Sequence, residues 1–405
     1  MRFRLWILAS TLLLFAGPVS AAMVPFGTEL DVRLTSEASS DKPSGQPVTG
    51  VVIAPVFVNG TPVIAAGTKV AGNTANAAPA VAATADTAEQ PATLRIQFTK
   101  LEDGHGHSQA LYCVLESVDN ARESVDDSGL ITGINQSQTI QARMDQGITK
   151  LASQYQGLSQ ILSAVKSAIV KPVEPAVDFK PGVEMKLKVT KAFDWSSPAG
   201  VPNVAAITPA EAVVQLVSRQ PVQTVAENPP SPSDITNLIF IGSMEQLKAA
   251  FQEAGWSTST ERNRASEMET AKALIESRGY AEAPMSILYL DGAPPSLTFQ
   301  KQNNTFEKRH HIRIWLRPQT FQGQPVWVGA ATHDISIAFS KESGSFTHGI
   351  DPEIDKERAK VVNDMLFTGH VRGLALVDRT GLPSNPSNAT GDKLITDGKI
   401  AVIEF

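Results

Sequence analysis

Cysteine is nearly absent from this sequence, since Cys113 is the single one among 405 residues. One thiol cannot form an intramolecular disulfide, and a cysteine-based zinc site needs several thiolates. The composition therefore excludes a disulfide-stapled scaffold and a cysteine-rich metal centre. Cys113 alternates with Leu111 and Leu115, which predicts a position on the apolar face of a strand rather than a nucleophilic role.

An excess of basic residues is also lacking. The 35 lysines and arginines are outnumbered by 41 acidic residues, which leaves a formal net charge of -6. Non-specific binding to nucleic acid depends on a positively charged surface. We therefore expect no nucleic-acid partner.

Motifs of several large enzyme classes are missing as well. The sequence contains no Walker-type phosphate loop, no Rossmann glycine fingerprint and no Gly-x-Ser-x-Gly elbow. His105 and His107 flank a glycine, but two histidines in a turn do not complete a zinc coordination shell. We predict no metal site, the sequence does not identify a cofactor, and whether the protein is an enzyme stays open.

Long apolar runs are confined to the amino terminus. Arg2 and Arg4 precede an apolar run at 5–16, and small residues follow up to Ala21. This is the pattern of a cleavable signal peptide, and the run is much shorter than the roughly 20 residues that span a bilayer. We expect residues 1–21 to be a signal peptide, the mature chain to lack a transmembrane segment, and the protein to be periplasmic or secreted.

Residues 22–191 carry the pattern of an all-β barrel or sandwich. Apolar and polar residues alternate in the first strand, and the segment GVEMKLKVT at 182–190 repeats the pattern of GTELDVRLT at 27–35. Matching first and last strands of this kind can pair to close a barrel. The Ala- and Thr-rich residues 73–92 are predicted to be a loop.

A helical stripe interrupts this β pattern. Apolar residues that include Leu151, Leu158 and Val165 recur every three or four positions between 140 and 169, which predicts one long helix at about 139–170. The stripe either packs along its own domain or faces a second copy or an envelope protein. Both alternatives remain open.

Proline marks the next segment. Seven prolines lie within residues 192–233, a composition that stiffens a chain and predicts an interdomain linker, with one short helix from Ala210 to Arg219. Residues 234–405 then mix strand and helix signals and are predicted to form an α+β domain. The chain is thus expected to be multidomain, with an amino-terminal all-β barrel or sandwich that has a long helical insertion.

One strand of this second domain concentrates cationic side chains. Because alternate residues of a strand share a face, Arg309, His311 and Arg313 point one way, while His310, Ile312 and neighbouring apolar residues point the other. Guanidinium groups present a planar donor fork that matches phosphate or carboxylate. We predict that this Arg/His face binds an anionic small molecule or a lipid headgroup.

Further polar residues on the following segments are candidates to join this face. The additional ligand-binding candidates are Asp334, Asp351, Asp355 and Arg358. The candidate catalytic residues, which would carry protons in phosphoester chemistry, are His311, His333 and His348. The structural alternative is that the arginines form ion pairs with the following helix, at Glu353, Asp355 and Glu357.

Three phrases make the second domain resemble a known family. They are RHHIRIW at 309–315, PVWVGAATHD at 325–334 and THGIDPEIDKER at 347–358, and they are similar to the LssY C-terminal domain over about residues 234–376. In its namesake this domain follows membrane segments and a lipid-phosphatase-like domain and is linked to type I secretion. The resemblance implies a fold without an assigned reaction.

The first domain has a weaker resemblance. Its Gly-Thr-led first strand, the phrase VIAAGTKVAG at 63–72 and the strand LRIQF at 94–98 are similar to the β-barrel domain of TrbI-like subunits of type IV secretion systems, over about residues 24–190. We expect an exported cell-envelope protein, non-catalytic, that binds or assembles with an anionic ligand or partner. The alternative is a phosphoester hydrolase or transferase that uses the Arg/His strand.

Overall fold

The computed structural model describes residues 22–59, 61–104, 106–135, 175–196, 204–227, 230–258, 287–301, 308–340 and 345–405. This part of the chain is predominantly β-sheet and is organised around two nine-stranded sheets. The predicted signal peptide at 1–21 and the predicted helix at about 139–170 lie outside the described residues. The strands of the amino-terminal region are β1 (Ala22–Val24), β2 (Glu29–Leu34), β3 (Ala38–Ser39), β4 (Pro47–Val52), β5 (Val56–Val58), β6 (Thr61–Ile64), β7 (Lys69–Ala78), β8 (Thr93–Glu102), β9 (Ser108–Ala110), β10 (Cys113–Val118), β11 (Ser124–Val125), β12 (Leu130–Thr132), β13 (Asp178–Phe179), β14 (Glu184–Val189) and β15 (Phe193–Trp195).

The amino-terminal strands form a nearly closed barrel. Their order is β10-β14-β2-β4-β7-β8-β12-β11, with β9 paired to β8. The predicted first and last strands do pair: β2 runs antiparallel to β14, with Leu30 opposite Leu187 and Arg33 opposite Glu184. Alternation then buries Leu30, Val32 and Leu187 in the barrel core, so the charged residues of both strands lie on the outer surface.

One glycine is required where two long, adjacent barrel strands approach each other closely. A Cβ atom added to Gly72 would lie 1.8 Å from the carbonyl oxygen of Gln97, so only glycine permits this approach of β7 to β8. Strand β7 continues to Ala78, and the predicted loop at 73–92 therefore starts six residues later than expected.

Cys113 is half-buried, and burial raises the pKa of its thiol to about 12, which leaves it protonated and unreactive.

The carboxyl-terminal region is a mixed sheet covered on both faces. Its sheet order is β16-β26-β27-β19-β24-β23-β22-β20, with β25 paired to β24, and a smaller sheet has the order β18-β17-β21. The predicted α+β class is confirmed. The elements of this region are β16 (Ala205–Ala206), α1 (Ala210–Ser218), β17 (Gln223–Ala226), β18 (Ser231–Ile235), β19 (Leu238–Ile241), α2 (Met244–Glu253), β20 (Trp256–Thr258), β21 (Leu288–Tyr289), β22 (Leu297–Lys301), β23 (Arg309–Phe321), β24 (Gln324–Ser340), β25 (Ser345–Ile350), α3 (Ile354–Phe367), β26 (Gly373–Asp378) and β27 (Lys399–Glu404).

The helices divide between the two faces of this sheet. Phe251 of α2 and Met365 of α3 share one apolar cluster with Ile312 of β23. Val213 of α1 belongs to a second cluster, together with Trp315 of β23. The sheet is thus the middle layer of three.

Part of the predicted linker belongs to this domain. Strand β16, helix α1 and strand β17 all lie within residues 192–233, and β16 pairs with β26 of the main sheet. The prolines stand where they do not break an element: Pro209 precedes α1 and Pro232 lies on the edge strand β18. The short helix predicted at 210–219 is present.

A capping box begins α2, in which Ser243 and Gln246 exchange side-chain and backbone hydrogen bonds. Helix α3 begins at Ile354 with Glu353 as N-cap. The Asp351 carboxylate accepts a hydrogen bond from the Glu353 amide at 2.9 Å and holds the turn before the helix. Among the helices described, none is long and apolar enough to cross a membrane.

Candidate functional site

Strand β23 presents two chemically different faces, as its alternation predicts. Arg309, His311 and Arg313 lie on the face that also carries Trp315 and packs toward α1, and all three are buried. His310 lies on the opposite face with Ile312, which packs toward α2 and α3. Each face holds its own cluster of charged groups.

Arg309 and His311 are engaged by residues of the neighbouring strand β24. Asp334 lies opposite Arg309 in the sheet register, and its Oδ2 accepts hydrogen bonds from Nε at 3.0 Å and a terminal guanidinium nitrogen at 2.9 Å. His311 Nε2 lies 2.9 Å from the hydroxyl of Thr332, and its Nδ1 lies 3.6 Å from Asp334. The predicted residues Arg309, His311 and Asp334 thus come together inside the domain.

Arg313 forms an ion pair with an acidic residue of a different strand, β18. One of its guanidinium nitrogens lies 3.1 Å from Asp234 Oδ2, at the carboxyl end of β18, and both side chains are buried. Burial and the charges of Arg313 and Arg309 hold the pKa of His311 well below its usual range, so this imidazole is neutral near pH 7. An anionic ligand at this face would have to displace buried carboxylates.

The other candidates lie around α3 and β25. Arg358 pairs with Asp355 at 2.9 Å and with Asp397 at 2.8 Å. The structural alternative, in which the arginines pair with the acids of this helix, is wrong in its choice of partners. Asp355 pairs with Arg358, Glu357 with His310 and Glu353 with Lys356. His348 lies on β25 with its backbone opposite Ile337, and its side chain is outside the described part.

A second cluster of charges joins the two regions of the molecule. It forms where the outer surface of the barrel, at the ends of β2 and β14 and in the turn after β10, meets β22, β23 and α3. Its members are buried or half-buried side chains whose contacts cross from one region to the other. We call it the interdomain ion cluster; it comprises Arg33, Asp119, Glu184, Lys301, His310, Glu357, Lys360 and Asp364.

Glu184 is the centre of this cluster. Its Oε1 accepts from Arg33 and from Lys301, both at 2.8 Å, and its Oε2 accepts from Lys360. Burial alone raises the pKa of such a carboxyl, but the charges of Lys360, Lys301 and Arg33 outweigh it and hold the pKa of Glu184 well below its usual range. Three cations therefore depend on one barrel carboxylate.

Asp364 of α3 completes the polar core around the same cations. Its Oδ2 lies 2.9 Å from Lys301 Nζ and accepts from Trp256 Nε1 at 2.8 Å. The carbonyl oxygen of Ala254, at the end of α2, accepts from Arg33 at 3.1 Å and from Lys301 at 2.8 Å. Cations at a helix carboxyl end are stabilised by its partial negative charge.

His310 bridges the two regions directly. Its Nδ1 lies 2.7 Å from Glu357 Oε2 on α3, and its Nε2 lies 2.9 Å from Asp119 Oδ1 on the barrel. Burial lowers the pKa of His310, but the charges of Asp119 and Glu357 outweigh it and raise the pKa to about 9. With a proton on each ring nitrogen, His310 gives the cluster four cationic and four anionic side chains.

His333 lies beside His310 on β24, directly opposite it in the register. The two rings stack with centroids 3.9 Å apart, and His333 Nε2 lies 3.0 Å from the Asn120 side-chain oxygen. Burial and the charge of His310 lower the pKa of His333 to about 2, so its ring stays neutral. Asn120 has a positive φ of 56°, a backbone conformation that asparagine tolerates better than most residues.

His310 was missed as a functional residue in the sequence, because alternation places it with apolar neighbours. The pairing of β23 with β24 could have been used to predict this site. When the phrases RHHIRIW and PVWVGAATHD are aligned antiparallel, His310 lies opposite His333. Asp119 and Glu184 carry no such signal, since they lie 191 and 117 residues from His310 and Lys301, their respective partners.

Comparison with known families identifies the second region. Residues 218–400 match the family model described as LssY C-terminus, so this part of the chain is an LssY C-terminal domain, and the resemblance seen in the sequence is confirmed. The match begins at the last residue of α1 and therefore includes part of the predicted linker.

One solved structure similar to this chain is described as ComB10 of the Com type IV secretion system of Helicobacter pylori. The two share 15% sequence identity, and the match covers 44% of this chain and 93% of that chain with a TM-score of 0.23. A likeness this weak carries no argument about function. No curated protein matches the sequence.

Proposed function

We propose that this protein is an exported, non-catalytic binding and assembly component of the bacterial cell envelope. In this proposal the barrel and the LssY C-terminal domain act as one unit that presents the apolar stripe at 140–169 to a second copy or to an envelope protein. The observation that carries it is the interdomain ion cluster, which joins the two regions through buried contacts.

The first support is the way in which charged groups are used. Glu184 and Asp119 of the barrel are each held by cations of the second domain. A buried ionic contact fixes geometry between the groups that it joins, because breaking it leaves an unpaired charge in the interior. Such a joint suits a protein whose two regions have to keep a constant relative position when a partner binds.

The second support is the state of the Arg/His face. Arg309 and Arg313 point to buried carboxylates, and His311 is neutral and buried beside them. In phosphoester chemistry, the two guanidinium groups would have to bind a phosphate, and a histidine would have to exchange protons with solvent. The arrangement favours a binding protein over the alternative of a phosphoester hydrolase or transferase.

The proposal is tested by the assembly state of the mature chain, residues 22–405. We expect light scattering after gel filtration to give a mass above the 43.2 kDa of a single full-length chain, or chemical crosslinking in the envelope to yield links from 140–169 to one defined protein. Replacing Leu151 and Leu158 with aspartate should abolish either result. The matched control replaces Val214 and Leu376, which are exposed apolar residues elsewhere.

A strict monomer that yields no crosslinks from the 140–169 segment would contradict the proposal. So would turnover of a generic phosphoester that His311→Ala abolishes, since that result would establish the enzymatic alternative.

A further inference from the structure

Three side chains at the interdomain joint form a set of donors suited to a metal ion. One carboxylate oxygen of Asp119 and one ring nitrogen each of His310 and His333 lie within 4.8 Å of one another. Asp119 comes from the barrel, and the histidines come from adjacent strands of the second domain. The set is therefore complete only when the two regions are together.

We propose that Asp119, His310 and His333 bind a divalent transition metal ion of the zinc class across this joint. Imidazole nitrogen and carboxylate oxygen are the donors that such ions take in proteins. In the tetrahedral arrangement that zinc prefers, ligands at about 2.1 Å from the ion lie about 3.4 Å from one another. A closing movement of about 1.4 Å between the most distant donors therefore brings the three into coordination distance of one ion.

The surroundings orient the donors as a metal site requires. Glu357 Oε2 lies 2.7 Å from His310 Nδ1, which directs the other ring nitrogen toward Asp119. A carboxylate that holds the outer nitrogen of a ligating histidine fixes the ring and increases its basicity. The histidine rings are also fixed by their cross-strand pairing and lie nearly parallel, with an interplanar angle of 16°.

The ion would take the place of one proton. His310 Nε2 and Asp119 Oδ1 are 2.9 Å apart and share a hydrogen bond; on binding, that proton leaves to solvent and both atoms turn their lone pairs to the ion. Access is available because Asp119 and His333 are only half-buried. The bound ion would then link the barrel to the LssY C-terminal domain by coordinate bonds.

Lys360 opposes the ion and offers a way to test its position. Its ammonium lies 3.4 Å from Asp119 Oδ2 but is also held by Glu184. Replacing this cation with an uncharged side chain removes a repulsion at the site. Lys360→Met should therefore bind the metal more tightly than the native chain does.

The experiment uses the untagged mature chain, stripped with a chelator and dialysed against zinc. We expect one zinc ion per chain, and tenfold or greater weakening in Asp119→Asn and in His333→Gln. His370→Gln is the matched control, because His370 is a surface histidine paired with Glu253, and its binding should equal that of the native chain. Cobalt in place of zinc should give the visible absorption of an ion with nitrogen and oxygen ligands.

Native protein that retains no zinc after dialysis would overturn the proposal. Equal zinc binding by all of these variants would also overturn it, since that is an adventitious surface ion only. If His333→Gln does not fold, Lys360→Met and the cobalt spectrum of the native chain decide: unchanged affinity in Lys360→Met, together with a spectrum of hydrated cobalt, rejects the site.

Discussion

The two ionic clusters of this molecule lie on opposite faces of strand β23. One stabilises the interior of the carboxyl-terminal domain, and the other connects that domain to the barrel. The cluster around Arg309, His311 and Arg313 takes its acids, Asp334 and Asp234, from its own domain. The interdomain ion cluster on the other face takes Glu184 and other groups from the barrel. A conspicuous cationic motif is therefore internal structure in this protein, while the joint also depends on Asp119, Lys301 and Lys360, which lie outside the phrases that mark the family.

The largest effect is expected from breaking the joint at its centre. Glu184→Gln leaves Arg33, Lys301 and Lys360 without their shared charge, and we expect a loss of about 4 kcal/mol in the free energy of unfolding. Each of these cations keeps one acidic partner, at Asp364 or Asp119, but loses the other in the interior. Urea denaturation measures this loss. A change below about 1 kcal/mol would show that the joint is solvated and weak.

A smaller effect is expected from the internal cluster. Asp334→Asn keeps the shape of the side chain but removes the charge that faces Arg309, and we expect a loss of about 2 kcal/mol, since the amide oxygen still accepts one hydrogen bond. Because the joint stays intact, the urea transition should move to lower denaturant and remain single. Separation into two transitions would contradict the assignment of this cluster to the interior of one domain.

Acid should weaken the joint in a defined direction. The pKa of Glu184 is depressed in the folded chain from its ordinary value of 4.5, so its contribution is fully present above that value and is lost as the pH falls toward the folded pKa. The stability difference between the native chain and Glu184→Gln should therefore shrink by about 1.4 kcal/mol per pH unit below pH 4.5. A difference that stays constant down to pH 3 would contradict this coupling.

The smallest of these effects concerns a single neutral donor of the joint. Trp256→Phe removes the indole N–H that lies 2.8 Å from Asp364, and we expect a loss of about 1 kcal/mol. Thermal unfolding detects it. His370→Gln, which breaks an exposed pair with Glu253, serves as the control and should cost less than about 0.5 kcal/mol.

Local patterns in the sequence predict much of the fold. The repeated strand phrase anticipates the pairing of β2 with β14, and alternation along β23 assigns its residues to the correct faces. The spacing of apolar residues and the repeated phrase depend only on neighbours within one strand or one pair of strands. A single sequence therefore contains the information that predicts these features. The proline-rich stretch is predicted to be a linker, although part of it forms regular structure. Composition alone does not show that Pro209 precedes a helix or that Pro232 lies on an edge strand.

The candidate site is less visible from the sequence. Arg309, His311 and Asp334 are anticipated as a group because they lie on adjacent strands, whereas the partner of Arg313 comes from 79 residues away. The joint depends on how two domains dock, and Lys301 and Glu184 are 117 residues apart. Such contacts arise from tertiary packing, which a single sequence does not encode in any local pattern.

Differential scanning calorimetry of residues 22–405, with and without Glu184→Gln, tests the central claim, that the buried joint makes the barrel and the LssY C-terminal domain one unit. For the native chain we expect a single coupled transition, and for Glu184→Gln we expect two, one for each region. Two separate transitions in the native chain, with midpoints that Glu184→Gln leaves unchanged, would contradict the claim.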